Sequence, residues 1–388
     1  MSEWLLGKLG DIAEIVMGQS PTGESVNTDG LGTPLLNGPT EFTIRYPQAV
    51  QFSTEPKRFS KVDDILFCVR GSTTGRMNWA NASYAIGRGL AAIRHKQGKE
   101  YRYFVKAILD YYLDTMLASA SGSTFPNVSK DQLNDLEISY PPLPEQKAIA
   151  SVLSSLDDKI DLLHRQNKTL EAMAETLFRQ WFIEEAKEDW DEVQVKDFVA
   201  LNKVSVSKSY PHTEIEYLDT GSLTEGVIGE LQNYQLAEAP SRAKRLVQHN
   251  DILISTVRPN QCHYGIISEP QFNLVVSTGF CTITCERISP YFVYLLLTNK
   301  EMTEYLHSVA EGSTSTYPSL KPEDIGSVSF QLPPKELIQQ FHDLAESYWQ
   351  KIHKNHKQIQ ILEKLRDTLL PKLMSGEVRV QYQTEEVA

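Results

Sequence analysis

The chain has 388 residues, of which 41% are hydrophobic and 23% charged, and its formal net charge is −12. This length suits two or three domains, and this composition excludes a disordered or fibrous chain. Nowhere do about 18 apolar residues follow one another, and the first residues contain no apolar signal-peptide core, so we expect a cytoplasmic protein.

The first predicted domain spans residues 1–143 and mixes short strands with turns. Apolar runs from Ile65 to Arg70 and from Leu90 to Arg94 are bounded by Gly, Asn and Asp, which is typical of strands. Between residues 57 and 106, eleven lysines and arginines stand against three acids. Such a segment suits phosphate binding, but surface charge also serves solubility, so the charge alone does not decide between these functions.

Two heptad patterns predict long helices over residues 144–186 and 333–380, on either side of a second mixed domain over residues 187–332. Helices of this length are spacers as well as packing elements. Their predicted seam residues, which form a helix-pairing or subunit interface, are Leu156, Ile160, Leu163, Asn167, Leu170 and Leu177 in the first helix, and Ile352, Asn355, Ile359, Leu362 and Leu369 in the second.

The second half of the chain repeats the first in order. The matching segments are Asp64-Ile65-Leu66 then Val69-Arg70 with Asp251-Ile252-Leu253 then Val257-Arg258, Gly122-Ser123-Thr124 with Gly312-Ser313-Thr314, and Pro141-Pro142 with Pro333-Pro334. We therefore predict an α+β fold, in which two pseudo-repeated mixed α/β domains are separated by two long antiparallel coiled-coil helices. Pairing within the chain is favoured because both helices are tethered together. The alternative is a seam that faces other subunits or a second copy.

Residues for catalysis or metal binding are not evident. Four cysteines are too few for a disulfide framework, and Cys281, Cys285 and His263 lack a fourth zinc ligand. No phosphate-binding Gly-rich loop and no methyltransferase motif occurs. Glu145-Gln146-Lys147, with Asp131 and Asp135 upstream, has the Glu-x-Lys of a metal-dependent nuclease, but a place in the first turn of a helix explains Glu145 better. We predict no catalytic residues, no metal and no cofactor bound by this chain.

The order of parts resembles the specificity subunit of type I restriction-modification systems over essentially the whole chain. The residues that carry the resemblance are the two Gly-Ser-Thr motifs, the Pro-Pro-Leu-Pro-Glu-Gln run from Pro141 to Gln146, and the helix ends Leu177 to Phe182 and Leu369 to Glu377. The second Pro-Pro motif departs from the pattern, because Lys335-Glu336 replaces the Leu-Pro-Glu-Gln ending.

The resemblance implies that each mixed domain is a target-recognition domain that reads one half of an asymmetric, bipartite site in double-stranded DNA. The helices would set the unread spacer. It further implies two modification subunits, which bind S-adenosylmethionine and methylate adenine N6, and two ATP-driven restriction subunits. S-adenosylmethionine, ATP and Mg²⁺ would belong to these partners. The sequence leaves open whether a restriction subunit is present, and a non-catalytic coiled-coil scaffold without DNA readout remains the alternative function.

Candidate DNA-binding residues are polar loop residues beside arginines, since bases are read by donors and acceptors while cations contact phosphates. Between residues 188 and 330 acids exceed bases by nine, so a basic face there must be small, built around Arg242, Lys244, Arg245 and Arg258. Capped turns and surface ion pairs are the alternative interpretation. The candidates are Arg70, Ser72, Thr73, Thr74, Arg76, Arg88, Gly122, Ser123, Thr124, Thr256, Arg258, Asn260, Gln261, His263, Gly312, Ser313 and Thr314.

Overall fold

The structure is a computed structural model that describes residues 4–119, 126–313 and 317–381. Its contacts define two compact units, one of residues 1–165 with 356–388 and one of residues 166–355. Each unit contains both helices and sheets, as predicted for an α+β protein. Within the described residues, no helix is long and apolar enough to cross a membrane.

The first unit alternates short strands with short helices before one long helix begins. In chain order its elements are β1 (Leu5–Lys8), α1 (Leu9–Ile12), β2 (Ala13–Met17), β3 (Val26–Asn27), β4 (Thr33–Leu36), β5 (Gln51–Ser53), β6 (Ile65–Cys68), β7 (Met77–Trp79), β8 (Ala85–Ile86), β9 (Leu90–His95), α2 (Arg102–Tyr111), α3 (Leu113–Ser119), α4 (Lys130–Asn134), β10 (Glu137–Tyr140) and the beginning of α5 (Leu143–Arg179).

This unit contains two four-stranded sheets, in the orders β2-β9-β6-β7 and β3-β5-β4-β8. Strand ends of both sheets lie together on one side of the unit. The parallel strands β4 and β8 both end there, and β5 begins there because Gln51 lies opposite Leu35. Residues 87–89 then lead directly from β8 into β9 of the other sheet. Antiparallel pairing of β9 with β6 places Cys68, the end of β6, opposite Leu90. Both sheets therefore present their connecting turns on the same side.

The second unit has the same kinds of elements. They are β11 (Glu192–Gln194), β12 (Val199–Leu201), β13 (Glu214–Leu218), β14 (Leu223–Thr224), β15 (Val227–Ile228), β16 (Gln232–Gln235), β17 (Ala243–Leu246), β18 (Ile252–Ser255), β19 (Tyr264–Ile266), β20 (Leu274–Ser277), β21 (Phe280–Cys285), α6 (Pro290–Thr298), α7 (Lys300–Glu311), α8 (Pro322–Gly326), β22 (Ser329–Gln331) and the beginning of α9 (Lys335–Met374). Its four-stranded sheets have the orders β12-β21-β18-β19 and β16-β13-β20-β17.

Aromatic packing joins the long helices of the second unit to α6. Phe341 of α9 is fully buried and contacts Phe182, which follows α5, with ring centroids 5.2 Å apart. Phe182 also meets Phe292 of α6 edge to face at 4.9 Å. Each buried Phe removes a large apolar surface from water, so this cluster contributes several kcal/mol.

The predicted seam residues are all wholly or partly buried. Six are buried, namely Ile160, Leu163, Asn167, Ile352, Asn355 and Ile359. Five are half-buried, namely Leu156, Leu170, Leu177, Leu362 and Leu369. In the first unit Ile160 and Leu163 pack against Ile359. These residues lie on covered faces of α5 and α9, and their role as a helix-pairing or subunit interface stays a prediction.

An amide pair interrupts the apolar seam inside the second unit. Asn355 Nδ2 donates to Asn167 Oδ1 at 2.7 Å, and both side chains are buried. Neither Asn167 Nδ2 nor Asn355 Oδ1 has a partner among the described residues. One hydrogen bond therefore offsets the desolvation of two amides, so each amide depends on the other.

The substitution Asn355→Leu is expected to lower the free energy of unfolding by about 1–3 kcal/mol, because it leaves Asn167 buried without its hydrogen bond. The double substitution to leucine should recover most of this loss, since an apolar pair suits the seam. Urea unfolding of both single variants and the double variant measures the coupling. Additive losses would contradict the interdependence of the two amides.

Candidate nucleic-acid interface

Three predicted arginines lie on the turns where strands of the two sheets of the first unit end. The Val69 N–H donates to the Gly89 carbonyl oxygen, and the Cys68 N–H to the Arg76 carbonyl oxygen, both at 2.9 Å. Arg70, Arg76 and Arg88 consequently lie on neighbouring turns at one edge. We call this edge the Arg88 rim, and it comprises residues 18–20, 37, 51, 57–58, 70–76 and 86–89.

The turn over residues 70–76 uses two of its predicted side chains to hold itself. Thr74 Oγ1 donates to the Gly71 carbonyl oxygen (2.7 Å) and lies 3.0 Å from the Pro126 carbonyl oxygen. Thr73 Oγ1 lies 3.6 Å from Cys68 Sγ. The capped-turn interpretation therefore describes Thr73 and Thr74, while Ser72 is exposed.

Cations of the Arg88 rim are exposed and lack carboxylate partners. Arg70 Nε makes one long contact of 3.5 Å with Asn127 Oδ1. Arg76 and Arg88 have no side-chain hydrogen bond or ion pair within the described residues. The same holds for Lys57 and Arg58, and the Ile86 N–H donates to the Arg58 carbonyl oxygen at 3.0 Å. These five charges are available to phosphates.

Other cations of the same basic segment are already paired. Arg94 binds Asp64 (2.6 Å), and Lys106 binds Asp110 (2.7 Å). Arg102 lies 3.6 Å from Asp63. Pairing within the protein thus concentrates the unpartnered arginines of the segment on the Arg88 rim.

A second rim lies beyond β18 in the second unit. Thr256, Arg258, Asn260, Gln261 and His263 all lie in the connection from β18 to β19. Asn260 and Gln261 are exposed, and Thr256 Oγ1 donates to the Gly279 carbonyl oxygen at 2.9 Å. We call this edge the Arg258 rim, and it comprises residues 219–222, 242, 256–263, 278–279 and 317–319.

The central cation of this second rim is held in a fixed pose. Arg258 has a φ of +50°, and its guanidinium lies 4.8 Å from the centre of the Tyr317 ring. The Arg258 N–H donates to the Pro318 carbonyl oxygen at 3.0 Å. Stacking on an aromatic face leaves the N–H groups of arginine free at the edge of the plane, so they remain available to a ligand.

An open cleft of about 650 Å³ runs beside Arg258. Arg242, Gln261 and His263 line it. His263 Nδ1 lies 2.7 Å from the Leu223 carbonyl oxygen, which holds the imidazole ring beside the cleft. The cleft combines cationic, donor and acceptor groups.

Corresponding backbone bonds show which residues match between the two rims. Val128 donates to Val69 and Leu320 donates to Thr256, at 2.9 and 2.7 Å. By these bonds Thr256 is the counterpart of Val69, and Arg258 is the counterpart of Gly71, which has a φ of +92°. The match of Val69-Arg70 with Val257-Arg258 made from the sequence is therefore wrong by one residue. The sequence match aligned identical side chains, whereas these hydrogen bonds show which backbone positions correspond.

The Gly-Ser-Thr motifs are only partly visible. Residues 122–124 lie outside the described residues, but Pro126, which follows them, accepts a hydrogen bond from the Gly71 N–H at 3.2 Å. In the second unit Gly312 follows the end of α7, and Ser313 Oγ lies 3.5 Å from Ser319 Oγ. Thr314 lies outside the described residues.

Comparisons with known proteins agree on one family. The profile described as "Type I restriction modification DNA specificity domain" matches residues 1–172. The MjaIX specificity subunit of Methanocaldococcus jannaschii is 26% identical, covering 98% of this chain and 94% of that relative. The HindI specificity subunit of Haemophilus influenzae is 23% identical over 68% of this chain and 73% of its own length. Residues 1–172 therefore match a type I restriction-modification specificity domain, and the MjaIX relative that aligns over nearly the whole chain is a type I specificity subunit.

One solved structure shares the fold of this chain. The S subunit from M. genitalium matches with a TM-score of 0.61 and 17% identity, over 96% of both chains. At this identity the likeness concerns the fold alone.

Glu145 and the cysteines Cys281 and Cys285, which a nuclease or zinc site would require, have other environments in this structure. Glu145 is buried, and its Oε2 accepts a hydrogen bond from Arg379 Nη2 at 2.6 Å. Burial raises the pKa of the Cys281 and Cys285 thiols to about 12, so both stay protonated near neutral pH. Among the described residues, no three His, Cys, Asp or Glu side chains are grouped to hold a metal ion.

Sequence reasoning missed several polar residues of the two rims. Tyr317, which stacks under Arg258, and Thr220, which lines the same cleft, stand in no recognisable motif. Asn37, which directly follows β4, and Gln51, the first residue of β5, both lie before the basic segment in sequence. Only the pairing of strands β4, β5 and β8 brings these amides beside Arg88.

A carboxylate of the second unit should make stability depend on pH. Burial, together with the negative charges of Glu175 and Glu225, raises the pKa of Glu171 to about 7. The folded state therefore binds this proton more tightly than the unfolded state, so the free energy of unfolding falls as pH rises from about 4.5 to 7. We expect Glu171→Gln to raise Tm at pH 8 and to change it little at pH 4.5. An equal gain at both pH values would contradict this, and the exposed Glu188→Gln is the control.

Proposed function

We propose that the chain is the DNA-reading subunit of a type I restriction-modification complex and contributes one rim per unit to a bipartite, asymmetric site. The observation that carries this proposal is the Arg88 rim, where exposed cations without carboxylate partners surround exposed amide and hydroxyl groups. Lysine and arginine position a protein on phosphates, while amides and hydroxyls discriminate base edges. The Arg258 rim supplies the same chemistry with fewer cations.

Residues 1–143 and 187–332 act in this proposal as two pseudo-repeated target-recognition domains. The corresponding bonds of Val69 with Val128 and of Thr256 with Leu320 support the repeat. Residues 144–186 and 333–380 act as an antiparallel coiled coil that sets the unread spacer. Contacts within the first unit support that direction, since Asp157 of α5 binds Arg366 of α9 while the later Ile160 packs on the earlier Ile359.

Catalysis belongs to other subunits in this proposal. Two modification subunits bind S-adenosylmethionine and methylate adenine N6, and two restriction subunits use ATP and Mg²⁺ to cleave. The chain itself binds no cofactor or metal and works in the cytoplasm, where these partners meet DNA. Similarity to type I specificity subunits supports this division of labour.

Selection from a random pool of DNA duplexes tests the proposal. The chain is co-purified with its modification subunit, and bound duplexes are sequenced after several rounds. We expect one motif with two specified parts and an unspecified spacer of fixed length. Enrichment that is identical for the modification subunit alone would overturn the proposal.

A further inference from the structure

An exposed amide pair lies at the centre of the Arg88 rim. Asn37, which directly follows β4, donates from Nδ2 to Oε1 of Gln51, the first residue of β5, at 2.9 Å. The second Asn37 N–H and its Oδ1 have no hydrogen-bond partner in the described part of the chain. The amide is therefore held in one orientation while a donor and an acceptor remain available.

Glycines on the neighbouring turn allow this pair to sit beside Arg88. A Cβ added to Gly87 would lie 2.4 Å from Asn37 Oδ1, and a Cβ added to Gly89 would lie 2.4 Å from the Asn37 carbonyl oxygen. Only a residue without a side chain fits on either side of Arg88. The backbone of Arg88 therefore passes close to Asn37, and the exposed Arg88 side chain begins beside this amide.

We propose that Asn37, oriented by Gln51, reads an adenine in the half-site bound by the first unit. In the major groove adenine offers N7 as an acceptor and the N6 amino group as a donor, and the free N–H and Oδ1 of one amide match both. The bond to Gln51 lowers the entropy lost when Asn37 docks, because one rotamer is already selected. Arg88, Lys57 and Arg58 fix the position of the rim on the backbone.

Among the described residues of the second unit, no such amide pair lies at the corresponding place. Asp219 follows β13 as Asn37 follows β4, but its Oδ1 accepts a hydrogen bond from the Ser222 N–H at 2.8 Å. Gln232, opposite Tyr217 in the sheet, accepts one from the Tyr234 hydroxyl at 2.7 Å. Because both side chains are committed locally, the two rims are expected to read different bases, as an asymmetric site requires.

This inference rests on the proposed function, and one experiment separates the two. The unaltered chain, Asn37→Ala, Asn37→Asp and the control Gln97→Ala are each expressed with the modification subunit, and methylated sites are mapped. Gln97 is exposed at the opposite end of β9. We expect Asn37→Ala to reduce the preference for adenine at one position of one half-site by about tenfold or more, with every other position unchanged.

Asn37→Asp keeps the size of the side chain but replaces the donor by an acceptor, so it should move the preference at that position toward cytosine, whose N4 donates. Unchanged preferences in both Asn37 variants would overturn the role of Asn37 while leaving the proposed function intact. Absence of any motif that depends on the unaltered chain would overturn the proposed function itself. Thermal unfolding shows whether each variant is folded. If Asn37→Ala is not folded, the base preference of Asn37→Asp tests the role of Asn37.

Discussion

Replacing Asp64 by alanine is expected to lower the free energy of unfolding of the first unit by about 3–5 kcal/mol. Asp64 is buried and binds Arg94 through two hydrogen bonds, of 2.7 Å from Nε and 2.6 Å from Nη2. Its Oδ2 also accepts the Lys61 N–H at 2.7 Å. The loss is large because Arg94 would remain largely buried, with only Glu14 as an ionic partner.

The second unit supplies a matched control. Asp251 occupies the same Asp-Ile-Leu motif, but its partners are the Thr284 hydroxyl (2.7 Å) and the Gln248 N–H (2.9 Å). Asp251→Ala leaves no buried cation behind, so we expect a loss of only about 1–2 kcal/mol. Urea unfolding of the two variants measures both values. Equal losses would show that the ion pair of Asp64 contributes nothing beyond its hydrogen bonds.

Reversing the charge of Arg88 is expected to lower the affinity of the assembled complex for its DNA site by about 10- to 100-fold at physiological salt. Arg88 is exposed, unpaired within the described residues and flanked by two glycines, so Arg88→Glu changes the field at the rim with little cost to folding. A carboxylate at this position removes one phosphate contact and also repels the neighbouring phosphates of the DNA. Fluorescence anisotropy with labelled duplex measures the change at several salt concentrations.

Lys99→Glu makes the same change of charge on an exposed residue beyond the opposite end of β9. It should alter the affinity far less than Arg88→Glu, because charges beyond a Debye length of about 8 Å are largely screened. Affinities that fall equally in both variants would indicate a general effect of net charge and would remove the Arg88 rim from the interface.

The sequence predicted a chain that mixes helices and sheets and contains a long helix, and the structure confirms this for identifiable reasons. Heptad spacing depends on local helical geometry, so the buried faces of α5 and α9 could be derived without knowing their partners. The basic segment and the turns after Asp-Ile-Leu indicated Arg70, Arg88 and Arg258. The positive charge of arginine and the backbone freedom of glycine can both be read from residue type alone.

The detailed site depended on strand pairing, which sequence patterns do not report. Asn37 and Gln51 are 14 positions apart and meet only through the pairing of β4 with β5. The hydroxyls of Thr73 and Thr74 belong to a turn whose second half comes from Pro126. Long-range contacts of this kind decide which polar groups are free for a ligand. Selection by residue type alone therefore included side chains that are free and side chains that already make hydrogen bonds within the protein.

The central claim is that this chain determines which DNA sequence its complex modifies. The most direct measurement is a genome-wide map of N6-methyladenine in cells that express the modification subunit with and without this chain, and with residues 1–143 exchanged for those of a relative. We predict a two-part motif that appears only with the chain, and a change in one part alone after the exchange. Methylation that is the same with and without the chain would contradict the account.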